Sequence, residues 1–332
     1  MATGGLAAVG LAIALARVRR TVPARRVPLI GLAAAFVFAA QMLNFPVAGG
    51  TSGHLIGAVL AAVLLGPSAA VLVLSAVMIL QCFMFADGGV TALGANIFNM
   101  ALVAPGVGYA VYVVVRRIAG AGLRSLQLAT AFAAWCSTVA AATACAGQLA
   151  LSGTVAWRVA LPAMTGIHML IGVGEALITT FVVAAVARVR PELLFERAQP
   201  GLQPRYTELV AYGLLISLGL AAFVAPFACG WPDGLEKVAG MLGFANRAGA
   251  QAVLPAPLPD YSVPGVKSAA RSTAIAGGVG TGIAFVLAYV LARVLTPQGT
   301  SRLSLNSENS GPASLSAGQI SPLQNGRHDG GS

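Results

Sequence analysis

Long apolar runs, interrupted by short clusters of glycine, proline and arginine, set the pattern of this chain. The runs cover residues 6–16, 27–43, 54–65, 68–86, 93–115, 126–151, 159–189, 209–225 and 269–295. About 20 helical residues cover a hydrocarbon core of about 30 Å. The pattern therefore predicts an all-α polytopic membrane helix bundle of about nine transmembrane segments. Two runs fall short of that length. Run 6–16 is too short to cross alone, and its arginines, Arg17, Arg19 and Arg20, follow it, whereas a secretory signal carries its positive charge first. It is expected to be either a helix whose front is missing or an interfacial piece. Run 54–65 is turned by Gly66-Pro67 after about a dozen residues. It is expected to be tilted, broken or re-entrant, because irregular backbone at membrane depth is tolerated where it lines a cavity.

Composition agrees with lipid as the solvent. Hydrophobic residues make up 57% of the chain and charged residues 9%, too little polar surface to cover a soluble globule of 332 residues. The net charge of +10 does not indicate nucleic acid, because the arginines stand at the ends of apolar runs with no aromatic-rich basic face between them. They report topology instead. Arg17 to Arg26, Arg116 to Arg124 and Arg188 to Arg205 form three clusters, which fall on one side if each run crosses once, and Lys and Arg collect in cytoplasmic loops. The start of the chain, the loops at residues 49–53 and 87–94 and the long loop 226–267 then face outward, and the C-terminus faces the cytoplasm. Residues 296–332, rich in Ser, Gly and Asn, are expected to be disordered. Cys82, Cys136, Cys145 and Cys229 form no CxxC pair and are assigned neither disulfide nor metal.

Several motifs in this frame resemble a known family. Val27-Pro28-Leu29, Phe36 to Met42, Gly49-Gly50-Thr51-Ser52-Gly53-His54, Phe85-Ala86-Asp87-Gly88-Gly89, Leu93 to Met100 and His168 to Ala176 follow the order and spacing of the CbiM/NikM family. These are the substrate-specific components of energy-coupling-factor (ECF) cobalt and nickel transporters. Pro232-Asp233-Gly234-Leu235-Glu236, with Asp260-Tyr261 and Val263-Pro264-Gly265, resembles the two-helix CbiN/NikN partner and its PDGLE motif. The resemblance implies a capture domain over residues 1–190, a cytoplasmic linker over 191–205 and a PDGLE domain over 206–295, fused in one chain. It implies seven CbiM-like and two CbiN-like segments, in a bacterial inner membrane. It further implies a substrate-binding role in a cobalt or nickel importer of the ABC type, serving cobalamin synthesis or nickel enzymes, without enzymatic activity. No Walker A motif occurs, so separate CbiO-like ATPases and a CbiQ-like coupling subunit are expected as partners. No permanent cofactor is expected, and Co²⁺ or Ni²⁺ is the transported substrate.

Among the residues, His54 matches the family histidine that contributes one metal ligand, and neutral imidazole suits both metals. In the family the other nitrogens come from a Met-His start: the α-amine, the second backbone nitrogen and its imidazole. This chain opens Met1-Ala2-Thr3-Gly4. It is therefore expected to lack the true start of its protein, which would also explain the short first run. His168 and Glu175, seven apart, share a helix face; either a satisfied interhelical hydrogen bond or an ion pathway fits them, and helix packing is favoured for Glu175. Asn96 and Asn99 are either outer partners that orient a metal-bound imidazole or, for Asn96, a helix cap. Asp87 belongs to a Gly-rich turn. The C-terminal part has no histidine before the tail and only Cys229 as a soft ligand, so it reads as a transport accessory.

Two other classes fit parts of the chain. Gly50-Thr51-Ser52-Gly53 matches the GxSG of rhomboid-like intramembrane serine proteases, with His168 as a base. A component binding a small organic micronutrient would need a larger, aromatic-lined pocket, against 7% aromatic residues here.

Overall fold

Proline and glycine mark where the helices begin and turn, since proline fits the first helical turn and glycine accepts left-handed backbone. In the computed structural model, which describes residues 2–197, 206–245 and 254–296, the chain folds into eleven helices. Helix α1 (Ala2–Thr21) leads into α2 (Val27–Gln41). A hairpin of β1 (Phe45–Val47) and β2 (Thr51–Gly53) follows, Val47 paired with Thr51 across a three-residue turn in which Gly49 and Gly50 have positive φ. Then come α3 (Ala58–Leu65), α4 (Pro67–Phe85), the one-turn α5 (Leu93–Asn96), a π-wound stretch (Ile97–Val103) and α6 (Ala104–Ala119). The long antiparallel neighbours α7 (Leu123–Leu151) and α8 (Trp157–Val189) complete the first part. The second part comprises α9 (Thr207–Gly219), the short α10 (Gly234–Met241) and α11 (Ala269–Leu295). The end of the expected linker, part of the long loop and the C-terminal tail lie outside the described residues.

Seven helical stretches among the described residues are long and apolar enough to cross a membrane, and the chain is a multi-pass helical membrane protein. The other two apolar runs need comment. Run 6–16 sits inside a 20-residue helix, about 30 Å long. The apolar run understated it because the helix continues through Gly4-Gly5 and through Arg17, Arg19 and Arg20, whose long side chains can reach the interface from inside a helix. Run 54–65 is broken. Residues 54–57 are irregular and only Ala58–Leu65 is helical, about 12 Å. The two halves together run from one end of the bundle to the other. At one end Ser52 bonds to the loop at Trp231; at the other, a Cβ on Gly66 would lie 2.8 Å from the Phe195 ring, beside the Glu196 that pairs with Arg116 at 2.8 Å. The β hairpin that precedes it is the exception to the all-α expectation. Its second strand is buried throughout, so the irregular backbone lies inside protein rather than against lipid.

The C-terminal helices close against the first part through glycines. A Cβ on Gly213 of α9 would meet Leu32 of α2 at 2.7 Å, and Gly31 of α2 lies under Phe285 of α11. Such small residues let helix backbones approach where lipid supplies no hydrophobic drive. Phe38, Phe85 and Tyr261 form an aromatic group at this seam, Tyr261 stacked on Phe85 at 4.6 Å.

Candidate metal-capture site

The unwound segment that carries His54 is fixed from two neighbouring helices. Buried Glu175 of α8 accepts hydrogen bonds from the backbone N–H of Ile56 (2.6 Å) and Gly57 (3.0 Å). Buried Gln41, the last residue of α2, donates through Nε2 to the Ile56 carbonyl at 3.0 Å. Both faces of the Ile56 peptide are thereby satisfied without a helix or sheet, as buried backbone requires. Gly57 caps α3 in the left-handed region, φ 76°, and a Cβ there would press on Val37 at 3.0 Å. Alanine at this position would combine backbone strain with a tight contact.

His54 itself is half-buried. Its Nδ1 lies 3.3 Å from the Leu55 carbonyl oxygen. A carbonyl only accepts, so the tautomer that uses this contact carries its proton on Nδ1 and presents the lone pair at Nε2, the arrangement that outer hydrogen bonds impose on metal-binding imidazoles. Among the described residues no group of three or more His, Cys, Asp or Glu is arranged to hold a metal ion.

His168 is brought to the same region but is committed differently. Its Nδ1 bonds the Met164 carbonyl at 2.7 Å, one turn back on α8. Its other edge is covered by the PDGLE motif: a Cβ on Gly234 would lie 2.6 Å from Cε1 and 2.9 Å from Nε2. His54 and Asp233 both lie in the neighbourhood of His168. The motif's acidic residues serve the fold. Asp233 caps α10 by accepting from Glu236 N at 2.8 Å while Glu236 accepts from Asp233 N at 3.1 Å, a capping box. This is a local signal that the letters PDGLE already contain.

Among the described residues no hydrogen bond joins Asn96 or Asn99 to His54. Asn99 and Gln148 exchange reciprocal amide hydrogen bonds, 3.2 and 2.6 Å, which tie the π-wound stretch to α7. The Asn96 side chain lies against Gly88, where a Cβ would meet its Nδ2 at 2.4 Å.

Asp87 does more than turn the chain. It accepts from the Tyr261 hydroxyl at 2.6 Å, which accepts in turn from Gln81 at 3.2 Å. Burial first, and the neighbouring Asp87 charge second, push the Tyr261 phenol above its usual range, so it stays a donor. Tyr261 and Asp260 both have positive φ, a conformation that no pattern of apolar residues announces.

Ser52 is explained without catalysis. Its side chain is fully buried, its hydroxyl donates to the Trp231 carbonyl at 2.7 Å, and its N–H donates to the Pro232 carbonyl at 2.8 Å. The GxSG letters thus make a hairpin edge that receives the PDGLE loop. The Nδ1 of His168 lies on the Met164 carbonyl and its Nε2 edge lies against Gly234, and no hydrogen bond joins it to Ser52 among the described residues.

Comparison with known proteins places the chain in a family. The family model described as the cobalt uptake substrate-specific transmembrane region, CbiM, matches residues 1–193, and that of the PDGLE domain matches residues 207–297. A chain of Archaeoglobus fulgidus, provisionally named a fused nickel transport protein NikMN, is 39% identical over 251 residues, 75% of this chain and 80% of that one. The fused nickel transport protein NikMN of Rhodobacter capsulatus is 35% identical over 289 residues, 77% of this chain and 83% of its own. A crystal structure of a transition metal transporter superposes with a TM-score of 0.51 at 35% identity, covering 57% of this chain and 87% of that chain. Its relatives are named as transport proteins rather than enzymes, and with a family model spanning more than half its length the chain belongs to the CbiM family of nickel and cobalt transport proteins, here joined to a PDGLE domain.

Proposed function

We propose that this chain is the membrane substrate-binding component of an ECF-type importer for Co²⁺ or Ni²⁺. The observation that carries this reading is His54 on an unwound, cross-braced segment inside the bundle, with Nε2 left to meet a metal. Imidazole suits both metals, which separate little on nitrogen ligands. The names of its relatives support the pairing of metals: fused nickel transport in Rhodobacter capsulatus, and cobalt transport for the CbiM of Moorella thermoacetica, 38% identical over 124 residues. His168 and Glu175 act beside the metal rather than on it, Asn96 and Asn99 brace the helices, and the C-terminal part assists transport. Power comes from separate ATPases through a coupling membrane subunit. Proteoliposomes holding this chain with those partners should accumulate radioactive Co²⁺ or Ni²⁺ only with ATP inside the compartment the ATPases face. Accumulation by the chain alone at the same rate would refute the ECF assignment.

In the proposed orientation the Arg-rich end is cytoplasmic and the PDGLE end extracytoplasmic. The loops assigned outward do meet: Ser52 reaches Trp231 and Asp87 reaches Tyr261. The arginine end has its own pair, Arg116 with Glu196. A single cysteine placed at Gly240, exposed on α10, should react with an impermeant maleimide added to intact cells. Reaction from the cytoplasmic side alone would reverse the orientation.

A further inference from the structure

Buried in the bundle, the Glu175 carboxylate makes a pair of bonds that its helix does not need. Its Oε2 and Oε1 accept from the consecutive N–H groups of Ile56 and Gly57, residues 119 and 118 positions away, and the residue is 1% exposed. A carboxylate in a bilayer interior is costly and persists where protein groups satisfy it. Helix packing alone would be served by an apolar residue of similar size, as buried Ile171, one turn earlier on α8, shows. The two N–H groups stand at the start of α3, where the first amides of a helix lack intrahelical partners and the helix dipole favours negative charge. Both N–H groups point to the one carboxylate, so that these successive amides form a concave anion seat. Glu175 therefore caps α3 from another helix, while Gln41 holds the opposite face of the Ile56 peptide at 3.0 Å.

From this geometry we infer that Glu175, with Gln41, is the positioning clamp for His54: it fixes the backbone two residues beyond the imidazole and so fixes where Nε2 points. The inference rests on the reading of His54 as a metal ligand. Neither residue touches the metal; both act through the segment between them and His54. In the fold, α3 is the short helical half of a crossing whose other half has no backbone ladder of its own. Without the clamp that half keeps its buried Leu55 and Ile56 side chains but loses the partners of its Ile56 and Gly57 backbone groups, and the imidazole loses its fixed direction.

The test uses the full chain purified in detergent without metal, and the variants Glu175→Gln and Gln41→Met. Glutamine keeps the size of Glu175 but turns one acceptor into an N–H₂ that faces a backbone N–H. Hydrogen exchange of the peptides covering residues 54–58 should rise in both variants, more in Glu175→Gln, while α7 and α11 peptides keep their protection. Titration with Ni²⁺ and with Co²⁺ should show about 10- to 100-fold weaker binding for Glu175→Gln, the usual scale for loss of an outer hydrogen-bond partner, and a smaller loss for Gln41→Met. The Ni²⁺ absorption spectrum of the weakened complex should shift as well, which a residue that merely aids folding would not cause. Unchanged exchange at 54–58 in both variants overturns the clamp whatever the metal result. Raised exchange with unchanged affinity overturns the link from clamp to metal. If His54→Ala leaves binding intact, the ligand reading itself has failed, a result separable from the other two.

Discussion

Replacing His54 by alanine should abolish uptake of Co²⁺ and Ni²⁺ and weaken binding well beyond the roughly 10- to 100-fold that follows loss of an outer partner. The reason is the donor set. Among the described residues no cluster of His, Cys, Asp and Glu exists that could take over, and His168 has one nitrogen on Met164 and the other under Gly234. The fold should survive the change. His54 is half-buried and its ring makes a single described hydrogen bond, to the adjacent Leu55 carbonyl, so melting of the metal-free variant in detergent should match the parent. Calorimetric titration decides the matter. A variant that still binds either metal within threefold of the parent removes His54 from the site.

Valine at Gly280 should give the largest loss of stability. A Cβ at this position on α11 would lie 2.2 Å from Cζ of Phe38 and 2.8 Å from Cζ of Phe85. Neither ring has room to yield: both are fully buried, their centroids are 5.4 Å apart, and Tyr261 packs against both. Overpacking of a filled core typically costs about 1–3 kcal/mol, and a clash with two rings belongs at the upper end. The apparent melting temperature should fall by roughly 5 °C or more, and because Tyr261 leans on these rings the contact with Asp87 should loosen too. Gly282 on the same helix is the control, since a Cβ there meets nothing within 4 Å. Gly282→Ala should be neutral or slightly stabilising, as alanine favours helix over glycine by about 1 kcal/mol. Equal melting of Gly280→Val and Gly282→Ala would show that α11 does not seat on α2 and α4 as described.

The PDGLE motif makes contacts that its letters do not announce. In the structure Asp233 and Glu236 form a capping box on α10. Which surface that helix covers was not available from the letters. The glycine of the motif is fitted to the edge of His168, and the loop before it completes the hairpin through Ser52.

What the sequence determined by itself is what depends on transfer from water to lipid and on short-range backbone preference. Both are properties of a residue and its near neighbours, so a polytopic helical membrane protein with a break at Gly66-Pro67 could be read directly, whereas two of the nine apolar runs are not among the seven described stretches long and apolar enough to cross. His54 was singled out by the resemblance of its Gly-rich stretch to a family motif, at the head of a run too short to span. Tertiary structure alone decided the rest. Gln41 looked like one polar residue in an apolar run; its use became visible only when its amide was found on Ile56. Asn99 could equally have faced a metal, and instead it spends both amide groups on Gln148, 49 residues away. Glu175 shares a helix face with His168, yet it serves a backbone 119 residues earlier. Directional bonds between distant segments leave no trace in the periodicity of either one, because each polar group needs a partner but its identity does not say which.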